Sequence, residues 1–249
     1  MPYDPAFYAT YSGDSNRSAT AFAEILARDV APATVLDVGC GIGTWLRAFL
    51  DAGAETVVGV DGPYVQRGQL MIPPGQFLAQ DLTQPVELPA TFPQQFDLAL
   101  SMEVGEHLPD AASRTLVRSL TQRAPVVLFS AAIPHQGGTD HINEQWQRYW
   151  AQRFADEGFA TVDRFREPLW EDPRVAYYYV QNGLLFVRED RLADFPALAR
   201  YRVSPDDPAL DRVHPRKWVE SNDPTRQSLR AVAAALPHAL GAAARRRLR

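Results

Sequence analysis

An α/β fold, with a mostly parallel sheet between helices, is what this sequence predicts, on three observations. Residues 35–38 form a short apolar run that ends in glycines at 39, 41 and 43 and passes at once into helix-forming residues from Trp45. That is a buried strand, a tight turn and a helix start. Two further strand-like runs, 56–61 and 76–82, carry an acid at or near their ends, Asp61 and Asp81. The run 126–129 is apolar throughout, as a central parallel strand is.

Taken in order, Asp14 or Ser15 can cap a helix through about residue 28, with Ala19, Phe22, Ile25 and Leu26 on one face. The glycine turn follows the first strand. Glycines 39, 41 and 43 let the backbone approach a ligand, and the free N–H groups of the turn and helix start face it. A dinucleotide fingerprint requires Gly-x-Gly-x-x-Gly, and the last position here is Thr44. Asp61, about 20 residues past Gly39, ends the second strand, where a carboxylate can accept both hydroxyls of a ribose. Residues 85–93 break regular structure as a proline-rich loop. A fourth strand spans 96–101, a helix 114–120 and a fifth strand 125–130. Residues 159–165 and 183–187 supply the sixth and seventh strands.

The run Leu36-Asp37-Val38-Gly39-Cys40-Gly41-Ile42-Gly43-Thr44 resembles the first motif of class I S-adenosylmethionine (SAM) methyltransferases. Residues 18–187 as a whole are similar to a bacterial group of that class that modifies sugars, polysaccharides and natural products. Its further marks are Val60-Asp61-Gly62, residues 103–109 (Glu-Val-Gly-Glu-His-Leu-Pro), Gln136-Gly137-Gly138 and residues 141–146 (His-Ile-Asn-Glu-Gln-Trp). The resemblance implies a Rossmann-like, seven-stranded sheet whose seventh strand runs antiparallel, and SAM as the cofactor, with S-adenosylhomocysteine (SAH) as product. It implies that Asp37 orients the methionine amino group, that Gly39, Gly41 and Gly43 cradle the cofactor and that Asp61 takes the ribose. Asp81 and Leu82 would meet the adenine, and Ser101 and Glu103, at the end of the fourth strand, would lie on the cofactor side. It also implies an N-terminal helical lid over 1–30, with Tyr8 and Tyr11 either part of it or anchoring a surface helix, and a SAM-binding domain over 31–188; the change in composition beyond that marks 189–249 as a partly helical extension.

Methyl transfer to an alcohol needs a proton removed, and histidine suits that near neutral pH. His107 follows the fourth strand and His141 the fifth, so these two are the candidate catalytic bases. His135 reads as structural. Glu103, Glu106 and His107 stand at i, i+3 and i+4, which would place them on one face of a helical turn. With His141 or His135 they form a set suited to Mg²⁺, Mn²⁺ or Zn²⁺, and Glu-x-x-Glu-His is similar to the metal motif of small-RNA 2′-O-methyltransferases. The other reading leaves Glu106 and His107 as a helix start, and no metal is assigned from the sequence. Trp146 is the aromatic residue read as facing an acceptor.

A net charge of −5 gives no footprint for nucleic acid, so a small-molecule or saccharide acceptor is expected. With one cysteine, Cys40, no internal disulfide can form, which suits a reducing compartment. The sequence shows no apolar run of membrane-span length and no signal-peptide character at Met1-Pro2-Tyr3-Asp4, so a cytoplasmic protein is expected. Beyond residue 189 prolines and charges dominate. An Ala/Leu-rich helix is expected over 227–240, and the chain ends in a basic run, 245–249. Two rival functions stay open: an NAD-dependent oxidoreductase and a non-catalytic SAM-binding partner of another enzyme.

Overall fold

The computed structural model describes residues 5–223 and, beyond them, only positions 233, 236 and 237; for 5–12 it describes the backbone alone. The expected 227–240 helix and the basic 245–249 run therefore lie outside the described residues, isolated positions apart, as do the side chains of Tyr8 and Tyr11. The chain divides into two compact units, Met1–Arg212 and Val213–Arg249.

In the first unit the order is α1 (Pro5–Asp29), β1 (Thr34–Val38), α2 (Thr44–Asp51), β2 (Thr56–Asp61), β3 (Phe77–Ala79), β4 (Leu98–Met102), α3 (Asp110–Thr121) and β5 (Val126–Ser130). Then come α4 (Gln147–Asp156), β6 (Phe159–Val162), α5 (Arg166–Leu169), α6 (Tyr177–Asn182), β7 (Leu184–Arg188), α7 (Pro196–Ala199) and β8 (Arg202–Val203). The second unit contributes α8 (Pro215–Asn222), whose first turn is capped by His214 Nδ1 accepting from the Arg216 N–H at 3.2 Å.

The sheet order is β3-β2-β1-β4-β5-β7-β6-β8. Strands β1 to β5 run parallel, β7 is antiparallel to both β5 and β6, and β6 therefore runs with the first five. Eight strands, not the expected seven, are present among the described residues. The extra one is the two-residue β8 on β6, too short to leave a period in the sequence. It lies within 189–212, a stretch read from the sequence as extension, which here folds with the first unit.

Alternation in the strands builds a core on each face of the sheet. Val35, Val126 and Leu128 pack with Phe22, Leu26, Trp45 and Phe49 of α1 and α2; Leu36, Val38, Val127 and Phe129 pack with Leu116, Leu120, Trp150 and Phe154 of α3 and α4. Helix α1 starts earlier than Asp14, running through Gly13 from Pro5. Asp14 accordingly acts inside the helix, its carbonyl accepting from the Ser18 hydroxyl at 2.7 Å. The third strand stops at Ala79, short of the expected 82, its last bond to β2 being that of the Gln80 N–H to the Asp61 carbonyl at 2.8 Å. The sixth stops at Val162, short of the expected 165, with the Asp163 N–H making a last bond in the β8 register to the Tyr201 carbonyl.

Strand order reverses between β1 and β4. In open α/β sheets the crevice at such a reversal receives ligands. The loops after β1 and β4 face each other there.

Phe22 holds α1 to this scaffold: it is fully buried, edge-on to Trp45 at 5.5 Å and 4.3 Å from Phe165. Phe22→Ala is expected to lower unfolding free energy by about 3–5 kcal/mol, measured by urea denaturation; a loss below 1 kcal/mol would show that α1 is not part of the cooperative core.

Candidate active site

Three left-handed glycines shape the turn after β1: Gly39 at φ 90°, Gly41 at 53° and Gly43 at 87°. Gly39 is the tightest, since a Cβ there would lie 2.3 Å from Val104 Cγ2 in the loop after β4. The two loops touch because Gly39 has no side chain to hold the Val104 side chain off. Asp61 joins the turn to β2. Its Oδ2 accepts from the Gly41 N–H at 2.6 Å, and its Oδ1 accepts from the Gly62 N–H at 2.6 Å and the Tyr64 hydroxyl at 2.5 Å. Burial pushes the Asp61 carboxyl up, opposed by these three donors. Asp81 is exposed and held below the usual carboxylate range by the N–H and hydroxyl of Thr83.

Glu103 ends β4 in the left-handed region, at φ 56°, a conformation that costs a non-glycine residue free energy and persists only when the surroundings fix it. They do. Its N–H donates to the Ser130 carbonyl and hydroxyl, each at 3.0 Å, and its carboxylate accepts from Gln136 Nε2 at 2.8 Å and Asn182 Nδ2 at 3.0 Å. Helix α6, which brings Asn182, is anchored by its Gln181 carbonyl, an acceptor for the buried Arg166 at 2.7 Å and for Gln147 at 3.1 Å.

A single 3₁₀ turn follows, Gly105–His107. Because Glu103 is left-handed and precedes this turn, the expected helical face shared by Glu103, Glu106 and His107 does not form. Glu106 is fully buried, and neither of its carboxylate oxygens finds a hydrogen-bond partner among the described residues. Burial, and then the neighbouring Glu103 charge, push its carboxyl well up. The backbone carbonyl of Glu106 accepts from the N–H groups of Ile142 at 2.9 Å and Asn143 at 3.0 Å, which brings the loop after β5 against the loop after β4. His107 and His141 meet there with ring centroids 4.8 Å apart and planes perpendicular. One ligand atom each from Glu106, His107 and His141 lie within 4.8 Å of one another. Burial lowers the His107 pKa.

These groups share a cavity of about 760 Å³ at the sheet reversal. Among the residues expected from the sequence, Gly39, Gly41, Asp61, Asp81, Leu82, Glu103, His107 and His141 line it. Asp37, Gly43 and Ser101 do not. Asp37 is sealed beneath the turn, with one oxygen lacking a partner among the described residues and its carboxyl pushed well up by burial and by Asp61. Gly43 faces Ile72. Ser101 is fully enclosed within β4. His135 lies outside the lining, its N–H donating to Glu144 at 2.7 Å. Trp146 is exposed at the start of α4, and Trp150 sits in the core against Phe129. The aromatic wall comes instead from Trp45, Tyr64 and Tyr177 to Tyr179. Ser15 of α1 completes it, bonded to the Tyr179 hydroxyl at 3.0 Å.

Residues 13–166 match the family model described as a methyltransferase domain. This chain belongs to that methyltransferase family. No curated protein matches it. Among solved structures, the methyltransferase is similar to Streptomyces venezuelae DesVI (20% identity, 53% of this chain and 58% of that one, TM-score 0.43). It is also similar to an O-methyltransferase family protein from Burkholderia thailandensis (16%, 68% and 54%, TM-score 0.48). A third is magnesium protoporphyrin IX methyltransferase from Synechocystis PCC 6803 with bound SAM (18%, 70% and 80%, TM-score 0.48). The chain thus spans little more than half the length of the first two.

Gly39 and Gly53 share a left-handed φ, but only Gly39 has a neighbour within 4 Å of an added Cβ. Gly53→Ala is expected to cost about 1–2 kcal/mol from backbone strain alone, and Gly39→Ala clearly more, read by urea denaturation of both variants. Equal losses would show that Val104 yields freely.

Proposed function

We propose that this methyltransferase uses SAM to O-methylate a small, uncharged, saccharide-like acceptor, with His107 or His141 taking the acceptor proton. The observation that carries this reading is the meeting of two imidazoles at the end of β4, in the same cavity as the glycine turn and Asp61. The lining suits the adenosyl group: the Tyr64 hydroxyl already occupies, at 2.5 Å from Asp61, the place of a ribose hydroxyl donor. Asp81 keeps an oxygen that Thr83 does not use, able to accept from an amino group. SAM, when bound, supplies an electrophilic methyl on a sulfonium, transferred in line to the acceptor oxygen with release of SAH. The protein's share is alignment and proton removal. A histidine lowered by burial, as His107 is, is neutral and able to accept a proton near pH 7.

The acceptor's charge follows from the lining. No Lys or Arg lines the cavity among the described residues, whereas Asp61, Asp81, Glu103, Glu106 and Asp140 do. A phosphate or carboxylate on an acceptor beside the histidines would meet Glu103, Glu106 and Asp140 with no cation to pair with among the described residues. The same lining argues against RNA, whose binding rests on phosphate contacts. An oxidoreductase reading is disfavoured by Thr44, and a non-catalytic one by the placement of both imidazoles on an open cavity wall.

One observation favours a second reading of the chemistry. The Glu106 oxygens, fully buried and without a hydrogen-bond partner of good geometry among the described residues, suit a cation. Glu106, His107 and His141 would hold a divalent ion, which would act as a Lewis acid on the acceptor oxygen.

The test begins with calorimetry. SAH is expected to bind and NAD to stay silent, and Asp61→Ala should weaken SAH by about tenfold to a hundredfold, the value of a charge-assisted hydrogen bond. Failure of the wild type to bind SAH would remove the proposal. SAH formation is then followed over sugars and phenols with and without EDTA. His107→Ala or His141→Ala should keep SAH binding and lose about 10²–10⁴-fold in rate. Insensitivity to EDTA supports the base; loss restored by Mg²⁺, Mn²⁺ or Zn²⁺ supports the metal.

A further inference from the structure

Glu144 does not line the cavity, and no role has been assigned to it. Yet the loop that delivers His141 converges on its carboxylate. Oε1 accepts from the Gly137 N–H at 2.8 Å and stands 3.0 Å from His141 Nδ1, and Oε2 accepts from the His135 N–H at 2.7 Å. The loop needs such a brace, because His135 at φ 67° and Asp140 at φ 59° are both left-handed without being glycine.

An ionised carboxylate only accepts hydrogen bonds, so the ring nitrogen facing Glu144 must carry the hydrogen. In the neutral ring the lone pair is then on Nε2. Nε2 is the atom packed over Gly138, a cavity-wall residue where an added Cβ would lie 2.1 Å away. Gly138 leaves the room and Glu144 sets the orientation.

We propose that Glu144 is a positioning residue that locks His141 in the Nδ1–H tautomer and so presents a bare Nε2 to the cavity. Proton acceptance and metal ligation both require that tautomer, so the inference holds for either chemistry while resting on the reading that His141 belongs to the site. A carboxylate that accepts from the far ring N–H of a histidine fixes its tautomer and orientation in this way generally. A brace acting only through the His135 and Gly137 amides would leave the tautomer indifferent to the carboxylate.

The test is long-range ¹H–¹⁵N correlation NMR of the ¹⁵N-histidine-labelled full chain in EDTA, above the histidine titration range, with His141→Asn to assign the signals. Wild type is expected to show His141 as Nδ1–H. Glu144→Ala should move it toward Nε2–H, the tautomer a free imidazole side chain favours. Glu144→Gln, which keeps an acceptor oxygen, should stay with wild type. A wild-type ring protonated on Nε2, or a tautomer unchanged in Glu144→Ala, overturns the proposal. If Glu144→Ala does not fold, the wild-type and Glu144→Gln spectra decide. SAH titrated into the same samples reads the other question separately: wild type without SAH binding would sink the functional proposal and leave the tautomer result to stand or fall alone.

Discussion

The site depends on the parallel pairing of β1 with β4, Val35 against Leu98 through Asp37 against Leu100. That pairing, at the reversal of strand order, sets the loops after these strands edge to edge. The absence of a side chain at Gly39 then lets Val104 close on the turn. Two later segments attach to this pair of loops. The loop after β5 hangs its Ile142 and Asn143 amides on the Glu106 carbonyl, and α6 sends Asn182 to the Glu103 carboxylate. A shift of the β1–β4 register would carry the glycine turn, the acids and both histidines out of reach together.

Two acids, Glu103 and Glu106, sit at the centre of this arrangement and are treated differently by their surroundings. Glu103 is given amide donors from two separate segments, which offsets the cost of enclosing it. Glu106 is buried deeper and given none among the described residues. A fold that solvates one carboxylate and leaves its neighbour bare has kept a deficit at one point. The two histidine rings stand at that point.

The parts of the molecule legible in the sequence were those governed by local pattern. Apolar runs of strand length announced β1, β2, β4 and β5, and the glycine spacing with Asp37 and Asp61 marked the turn and its partner strand. What escaped was set by contacts between distant segments. The left-handed turn at Glu103, which removes it from the face of Glu106 and His107, is imposed by Ser130, Gln136 and Asn182. Periodicity assumes a regular helix and cannot see them. Asp37 carried the pattern of a ligand contact but is roofed over by the turn it precedes. Glu144 stood within a stretch already recognised as informative, yet a loop carboxylate has no period, and its partners His135, Gly137 and His141 become neighbours only once the loop has folded. The tyrosines at 177–179 face the cavity because Arg166 and Gln147 hold the Gln181 carbonyl, and no spacing in the sequence records that.

The bond between Ser15 and Tyr179 joins residues 164 positions apart. The cavity wall thus closes only when the start of the domain and a helix from near its end have both arrived. During synthesis the glycine turn, Asp61 and Asp81 all emerge long before Tyr179, so a nascent chain carries these cavity residues before the wall that encloses them. The enclosed cavity is therefore a late product of folding. A ligand that recognises only the closed wall adds its binding energy to the finished domain alone.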